Sequence, residues 1–598
     1  METRRSFPGP RAALGLYALL AIALTWPLAW HLTDRLPAGD NDLWQSYWNF
    51  WWWRTALFER GQLPYSTDLL YQPGPVSLAF HTHSEANVIP TLPIQLALGV
   101  PAAFNTALLL SYVLCGWGGY FLAREIVGEN RSALVAGLVL MFHPQRVEQS
   151  LEHLNLVSFQ AMPFFLVFFL RLLRTGGWKN GLAAGLLYAL NALYSWHNGL
   201  LVLPFALVLF AQALWRGERN GGRPRPRISL DAALAGCIAL ACMLPFAWPM
   251  IREILAGETY FQKPPINRAI DPLFLLVPSE SHPLWGRLFS GLYERLRGYA
   301  AAGFTCYAGS IALGLWLAGG WWSRMRSPWK LWTFFFCLAI VLAMGDSLAS
   351  SGHDSGIWLP FAGLRSVPIL STIRIPNRFI VPAMLSLSVL AAIGARELAR
   401  RADARRPGAG RWANVGLLVL IALDFLAVPF PLRELPRPAW LEAVIEAPDG
   451  LLLDVPGGHR ARGAEDMYFQ TIHHRPMVGG YTSCIPPGIE HRVASLPYLQ
   501  LVFEGRPKMS AGQNVDVGSG LKQALEALPV RVVVVHLDRK RESLEEKARL
   551  AAGTPRARLF NPERGTSAAV IDESRTALRG LWGDPIFADA EAEVFVRR

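Results

Sequence analysis

Residues 104–142 read FNTALLLSYVLCGWGGYFLAREIVGENRSALVAGLVLMF. Two apolar runs, 104–123 and 132–143, flank a short segment carrying Arg124 and Arg131. A helix of about 20 mostly apolar residues crosses a bilayer, and fewer suffice where protein shelters the ends. Run, basic loop and run together therefore predict two spanning helices joined on the cytoplasmic side. Outward from this pair, further apolar runs fall near 12–31, 157–173, 181–196, 199–215, 229–249, 300–320, 331–346, 377–395 and 412–431. Together they predict a polytopic α-helical membrane protein of about eleven spans. The 132–143 run is short and reads as partly re-entrant, and Val88–Val100, with Pro90 and Pro93, reads as an interfacial or half-spanning piece.

Composition agrees. The 598 residues are 52% hydrophobic and 17% charged, against about 25% charged in a soluble domain. Twenty-two tryptophans fit a chain with many rings at headgroup depth. The net charge of +12 comes from arginines clustered between apolar runs, which excludes the basic soluble face that nucleic-acid binding needs. Loops 124–131, 171–179, 216–227, 324–330 and 396–411 are dense in Lys and Arg, and the alternate loops are sparse. That asymmetry places the N-terminus in the cytoplasm and, with an odd number of spans, the C-terminal part outside it. The expected location is a bacterial inner membrane. Six cysteines lie mostly in apolar segments with no zinc spacing, and read as small apolar fillers.

The chain divides into residues 1–431, the membrane part, and 432–598, a soluble extracytoplasmic α/β domain. GLLLDV at 450–455 and VRVVVVHL at 530–537 are apolar runs bounded by turn residues and predict buried strands. A helical pattern covers 519–528, a charged one covers 541–552, and 594–596 adds a last strand. The domain lacks a nucleophile elbow, phosphate loop or metal motif. Gly479-Gly480-Tyr481 reads as a turn, and the domain as a recognition or lid module.

Four outer segments carry candidate chemistry. In LPAGDNDLWQSYWNFWWWRTALFERG (36–61), Asp40 and Asp42 precede a tryptophan-rich helix expected to lie flat in the outer interface. Either aspartate also suits a helix cap. In YQPGPVSLAFHTHSEAN (71–87), His81, His83 and Glu85 alternate, sharing one face on a strand. They are weak candidates for a divalent metal ion, the one cofactor considered. FHPQRVEQSLEHLNLVSFQ (142–160) brings Arg146 and His153 to a point where the chain re-enters the membrane. Charges there serve a site or pair with one another, as Arg146 with Glu152. In STIRIPNRF (371–379), Arg374 and Arg378 stand four apart at an outer helix mouth, on one face if helical. Arginine forks match phosphate oxygens, and they also snorkel to headgroups. His197, in a tight outer turn, is placed to line the same cavity.

DLWQSYWNFWW, YQPGPVSLAFHT, the 104–128 run, ALVAGLVLMFHPQRVEQSLEHLNL, IRIPNRF and the late MYFQTIHHRPMVGGYTS (467–483) together resemble bacterial multi-pass GT-C-type glycosyltransferases. The resemblance is densest in the N-terminal third. It implies an enzyme that takes a sugar from a polyprenyl-phosphate carrier at the outer membrane face and gives it to an extracytoplasmic glycan, lipid or protein acceptor. It also implies an acidic residue of the first outer loop as general base, the position of Asp42, with Asp40 beside it. Many members carry adjacent acids there, whereas Asn41 separates these two. Arg374, Arg378, Arg146, His153 and His197 are then the expected donor-binding residues. A lipid or polysaccharide transporter or flippase, and a non-catalytic assembly protein, stand as alternatives. A transporter favours intramembrane charge, and Asp424 is the main such charge here. An assembly protein would leave Asp42 facing no cavity.

Overall fold

The computed structural model describes residues 9–39, 41–217, 223–258, 269–296, 306–351, 353–367, 373–458, 461–486, 488–504, 516–539 and 568–597. Asp40 and the charged pattern at 541–552 lie outside the described residues.

With residues 300–305 outside the described residues and the 300–320 run helical from Ser310 onward, each run expected to span overlaps a helix. These are α1 (Pro10–Leu24), α3 (Glu85–Val127), α4 (Asn130–Phe142), α5 (Ala161–Thr175), α6 (Trp178–Tyr194), α7 (Trp196–Gly217), α8 (Arg225–Leu255), α9 (Ser310–Trp322), α10 (Ser327–Ala343), α11 (Ile380–Arg405) and α12 (Ala409–Asp424). The tryptophan-rich α2 (Asn41–Arg54) lies between the first two. Among the described residues, five helical stretches are long and apolar enough to cross a membrane by length and composition: 85–127, 154–175, 196–217, 225–255 and 376–405. The 88–100 stretch is the first part of α3, which breaks at Gly99, where φ is +87°.

Packing distinguishes inner from outer helices. The most apolar 18-residue window of the 376–405 stretch is 94% buried, and that of α8 only 11% at equal or higher hydropathy. Leu230, Leu234, Leu240, Leu244 and Trp248 of α8 face outward. A continuous apolar face of that length on a helix requires lipid. At the centre, small residues let backbones approach, as membrane helices require without a hydrophobic drive to associate. A Cβ on Gly394 of α11 would overlap the Leu315 carbonyl of α9. One on Gly137 of α4 would overlap the Tyr17 hydroxyl, which donates to the Leu134 carbonyl at 3.0 Å.

The last 170 or so residues carry helices and a four-stranded sheet built from β3 (Leu451–Val455), β4 (Val530–His536), β5 (Phe587–Ala588) and β6 (Ala592–Val596), in the order β3-β4-β6-β5. β3 and β4 run parallel and β4 and β6 antiparallel. The two runs expected as strands are strands, fully buried at β3 and nearly so at β4.

This C-terminal part is stitched to the segment between α1 and α3. β1 (Arg35–Pro37) pairs antiparallel with β2 (Leu432–Glu434). Tyr71 N–H donates to the Gly479 carbonyl and Met477 N–H to that of Leu69. The Trp48 indole donates to Gln470 Oε1 at 2.8 Å, and Gln470 Nε2 donates back to the Leu69 carbonyl at 2.7 Å. Trp44 packs on Tyr468 with ring centroids 4.5 Å apart. The expectation that α2 lies flat in the lipid interface is thereby corrected. Trp44, Trp48, Trp51, Trp52 and Trp53 are all buried, because α2 is the packing surface between the membrane helices and the C-terminal part.

Candidate active site

Asp42 stands in the first turn of α2. Its Oδ1 accepts the Tyr481 hydroxyl at 2.9 Å, and its Oδ2 lies 2.8 Å from His153 Nε2. The two side chains keep 32% and 20% of their surface exposed, so a ligand can reach them. The loop before α2 is held tightly. A Cβ on Gly39 would overlap the Leu151 carbonyl, and Arg433 donates to the Gly39 carbonyl at 2.7 Å while its guanidinium stacks on Trp44. Burial first, and then the Asp42 carboxylate, push the Tyr481 hydroxyl far up. It therefore stays protonated and donates.

His153 faces two ways. It touches Asp42 and also lines a cavity of about 40 Å³ with Gln145, Gln149, Asn198, Asn377 and Arg378. That is room for about three waters. The polar walls come from three outer turns: the re-entrant 142–160 segment, the start of α7, and the 3-10 turn Pro376–Phe379 before α11. A pocket of amides with one imidazole and one guanidinium suits a phosphate or a sugar hydroxyl.

The expected residues are sorted by this geometry. Arg378 and His153 line the cavity. Arg374 lies just outside, since the segment is irregular until Pro376 and the two arginines do not share a helical face. His197 approaches Ser195 Oγ at 3.5 Å, and its neighbour Asn198 takes the cavity wall instead. Arg146 is held differently. It touches the cavity wall, but its guanidinium points into the protein. It donates to the Met141 carbonyl at 2.7 Å, Ser111 Oγ at 2.9 Å and the Val157 carbonyl at 3.0 Å, between the rings of Tyr112 and Phe159. It fixes the re-entrant turn and does not pair with Glu152.

The expected metal grouping is also corrected. His81 Nδ1 accepts from the Ser483 N–H and its Nε2 reaches Asn49 Oδ1 at 2.7 Å. His83 Nδ1 accepts from the Trp53 indole at 3.2 Å and its Nε2 donates to the Leu78 carbonyl. Glu85 takes the Tyr65 hydroxyl at 3.4 Å. Both lone-pair nitrogens are committed to protein donors, and burial lowers His83 to about 4. Among the described residues, one trio has ligand atoms within 4.8 Å: Asp454, Asp466 and His536. Arg539 already donates to Asp466 at 2.6 Å, and His536 Nε2 meets Asp454 at 2.8 Å. The trio is a buried hydrogen-bonded cluster that also holds the Arg539 guanidinium.

Tyr481, Gln145, Gln149 and Asn377 escape sequence reasoning as site residues. The signal for Tyr481 is the 467–483 segment that carries part of the resemblance.

No family model matches the chain, and no curated protein sequence matches it. Solved structures do. The Archaeoglobus fulgidus oligosaccharyltransferase, in its apo form, aligns over 96% of this chain and 73% of its own, with 12% identity and a TM-score of 0.50. Arabinofuranosyltransferase AftD from Mycobacteria aligns over 98% of this chain, with 15% identity and a TM-score of 0.55. The chain has the GT-C fold. It spans 39% of the length of AftD, so it corresponds to under half of that enzyme. ArnT from Cupriavidus metallidurans, in the apo state, covers 98% of each chain at 13% identity and a TM-score of 0.49.

Proposed function

We propose that this GT-C chain is a membrane glycosyltransferase that moves a sugar from a polyprenyl-phosphate-linked donor to an extracytoplasmic acceptor, with Asp42 as base. The observation that carries this reading is the Asp42 carboxylate held between the Tyr481 hydroxyl and His153, beside a cavity that contains Arg378. Names of like-folded proteins, an oligosaccharyltransferase and an arabinofuranosyltransferase, support the reaction class.

In the reaction the acceptor O–H gives its proton to Asp42. The acceptor oxygen bonds to the anomeric carbon while the bond from that carbon to the carrier phosphate breaks. The bonding pair leaves with the phosphate. Arg378 and the amide of Asn377 are placed to stabilise that charge, the role usually taken by fixed donors around a leaving group. Arg374, next in the chain to Ile375 of the cavity wall, and His197, next to Asn198, are assigned a second rank. Asp40, next to Asn41, is assigned a supporting part. A cavity of this size must widen to admit a sugar.

The reading includes an orientation. The arginine-bearing loops gather at one end of the helices. Arg171 and Arg174 meet Glu125, Arg216 meets Ser327 and Arg396 donates to the Val127 carbonyl. Asp42 and the C-terminal part occupy the other ends of the same helices. The arginine end is assigned to the cytoplasm, the C-terminal part to the outside as a soluble α/β domain spanning 432–598, and all eleven helices to the membrane of a bacterial cell.

Arg378→Gln keeps hydrogen-bonding capacity and removes the charge. It is expected to weaken retention of polyprenyl phosphate by the purified protein about tenfold or more, the worth of a charge-assisted bond. Undiminished retention would remove Arg378 from the carrier site.

A further inference from the structure

A second cavity lies at the opposite end of the helices from Asp42. It has a volume of about 370 Å³ and sits where α3, α5 and α7 end and α8 and α10 begin. That falls within the roughly 300–1,000 Å³ typical of small-molecule sites. Its inner walls are apolar, with Leu173, Leu209 and Trp332 all buried. Its rim holds Arg174, Arg216 and Arg223. Among the described residues, no carboxylate lines it.

The rim is built into the fold. Arg223 Nη1 donates to the Leu172 carbonyl at 2.8 Å and its Nη2 pairs with Asp231. Its guanidinium lies over Gly176, where φ is +70° and a Cβ would collide with it. Arg216 reaches Ser327 Oγ at 3.3 Å. Arg174 approaches Glu125 at 3.5 Å, a carboxylate that Arg171 already binds through two nitrogens. Positive charge therefore exceeds negative at this rim. Trp178 and Trp215 are exposed on the adjoining helix ends, as rings are at headgroup depth.

We propose that this cavity binds one anionic phospholipid of the adjacent leaflet. The phosphate and its anionic headgroup meet the arginine rim, and an acyl chain enters the apolar interior. Charge complementarity selects the occupant. A zwitterionic lipid places a quaternary ammonium against three guanidinium groups, and like charges disfavour it.

The test uses the full chain purified in detergent and native mass spectrometry with phosphatidylglycerol, phosphatidylcholine or glycerol 1-phosphate. One phosphatidylglycerol is expected per chain, with phosphatidylcholine and free glycerol 1-phosphate not retained. The double variant Arg174→Gln, Arg216→Gln changes exposed side chains. It should weaken phosphatidylglycerol retention about thirtyfold, at roughly the per-arginine attraction of an anionic surface. Its thermal unfolding profile without lipid should match the parent. Equal retention of phosphatidylcholine overturns the proposal, as does binding of glycerol 1-phosphate as tight as that of the lipid. Unchanged phosphatidylglycerol retention in the double variant overturns it too.

Discussion

Asp42 could be singled out from the sequence as a candidate because of its position: an aspartate just after an apolar run, ahead of a tryptophan-rich helix. Tyr481 could not, since 439 residues separate it from the carboxylate it binds and its glycines look like an ordinary turn. Its hydroxyl stabilises the charged form of Asp42. Tyr481→Phe should therefore raise the pKa of Asp42 and move the acid limb of the pH–rate profile to higher pH. A fall in kcat with KM for the donor little changed would show that the hydroxyl also orients the carboxylate. An unshifted acid limb would reduce Tyr481 to a packing role. Arg146 is a different case. Its sequence neighbourhood, polar and next to the membrane, fits a ligand site. Only the fold reveals the carbonyls of Met141 and Val157 that occupy its guanidinium.

The helices could be placed from apolar runs because lipid demands length and hydrophobicity and little else. The role of α2 could not. A row of tryptophans fits both a lipid interface and a buried seam, and the choice depends on Gln470 and Tyr468, whose side chains meet it from far along the chain. The same seam keeps two histidines neutral. Burial lowers His83 to about 4, and burial with the Arg475 cation lowers His473 to about 3, from an ordinary value of 6.5. Folded-state values below the unfolded one give stability that is full above pH 6.5 and is lost as pH falls toward 4. The outer loop and the C-terminal part should thus loosen together in mild acid. Hydrogen exchange around residues 81–83 and 473–475, corrected for intrinsic rates, should accelerate at pH 5 relative to pH 7. His83→Gln should flatten that dependence in the outer loop. Equal protection at both pH values would contradict the buried neutral state.

At the scale of the whole molecule, the arginine-rich turns lie at one end of the helices and Asp42 with His153 at the other. The arginine bias was legible in the sequence. The docking of residues 470–483 onto the loop that follows α2 was not, because hydrogen bonds between residues 69–83 and 470–483 leave no local pattern. A periplasm-dependent reporter fused after Arg598 should be active, and activity of a cytoplasm-dependent one there would invert the topology. The central claim is that Asp42 is the base for sugar transfer from a lipid carrier. The direct measurement is transfer from a polyprenyl-phosphate-linked sugar by purified Asp42→Asn, a change that keeps the side chain's size and removes the base. The account predicts normal membrane insertion, unchanged binding of polyprenyl phosphate, and a transfer rate lower by about 10²–10⁴. Transfer at near the parent rate would contradict it.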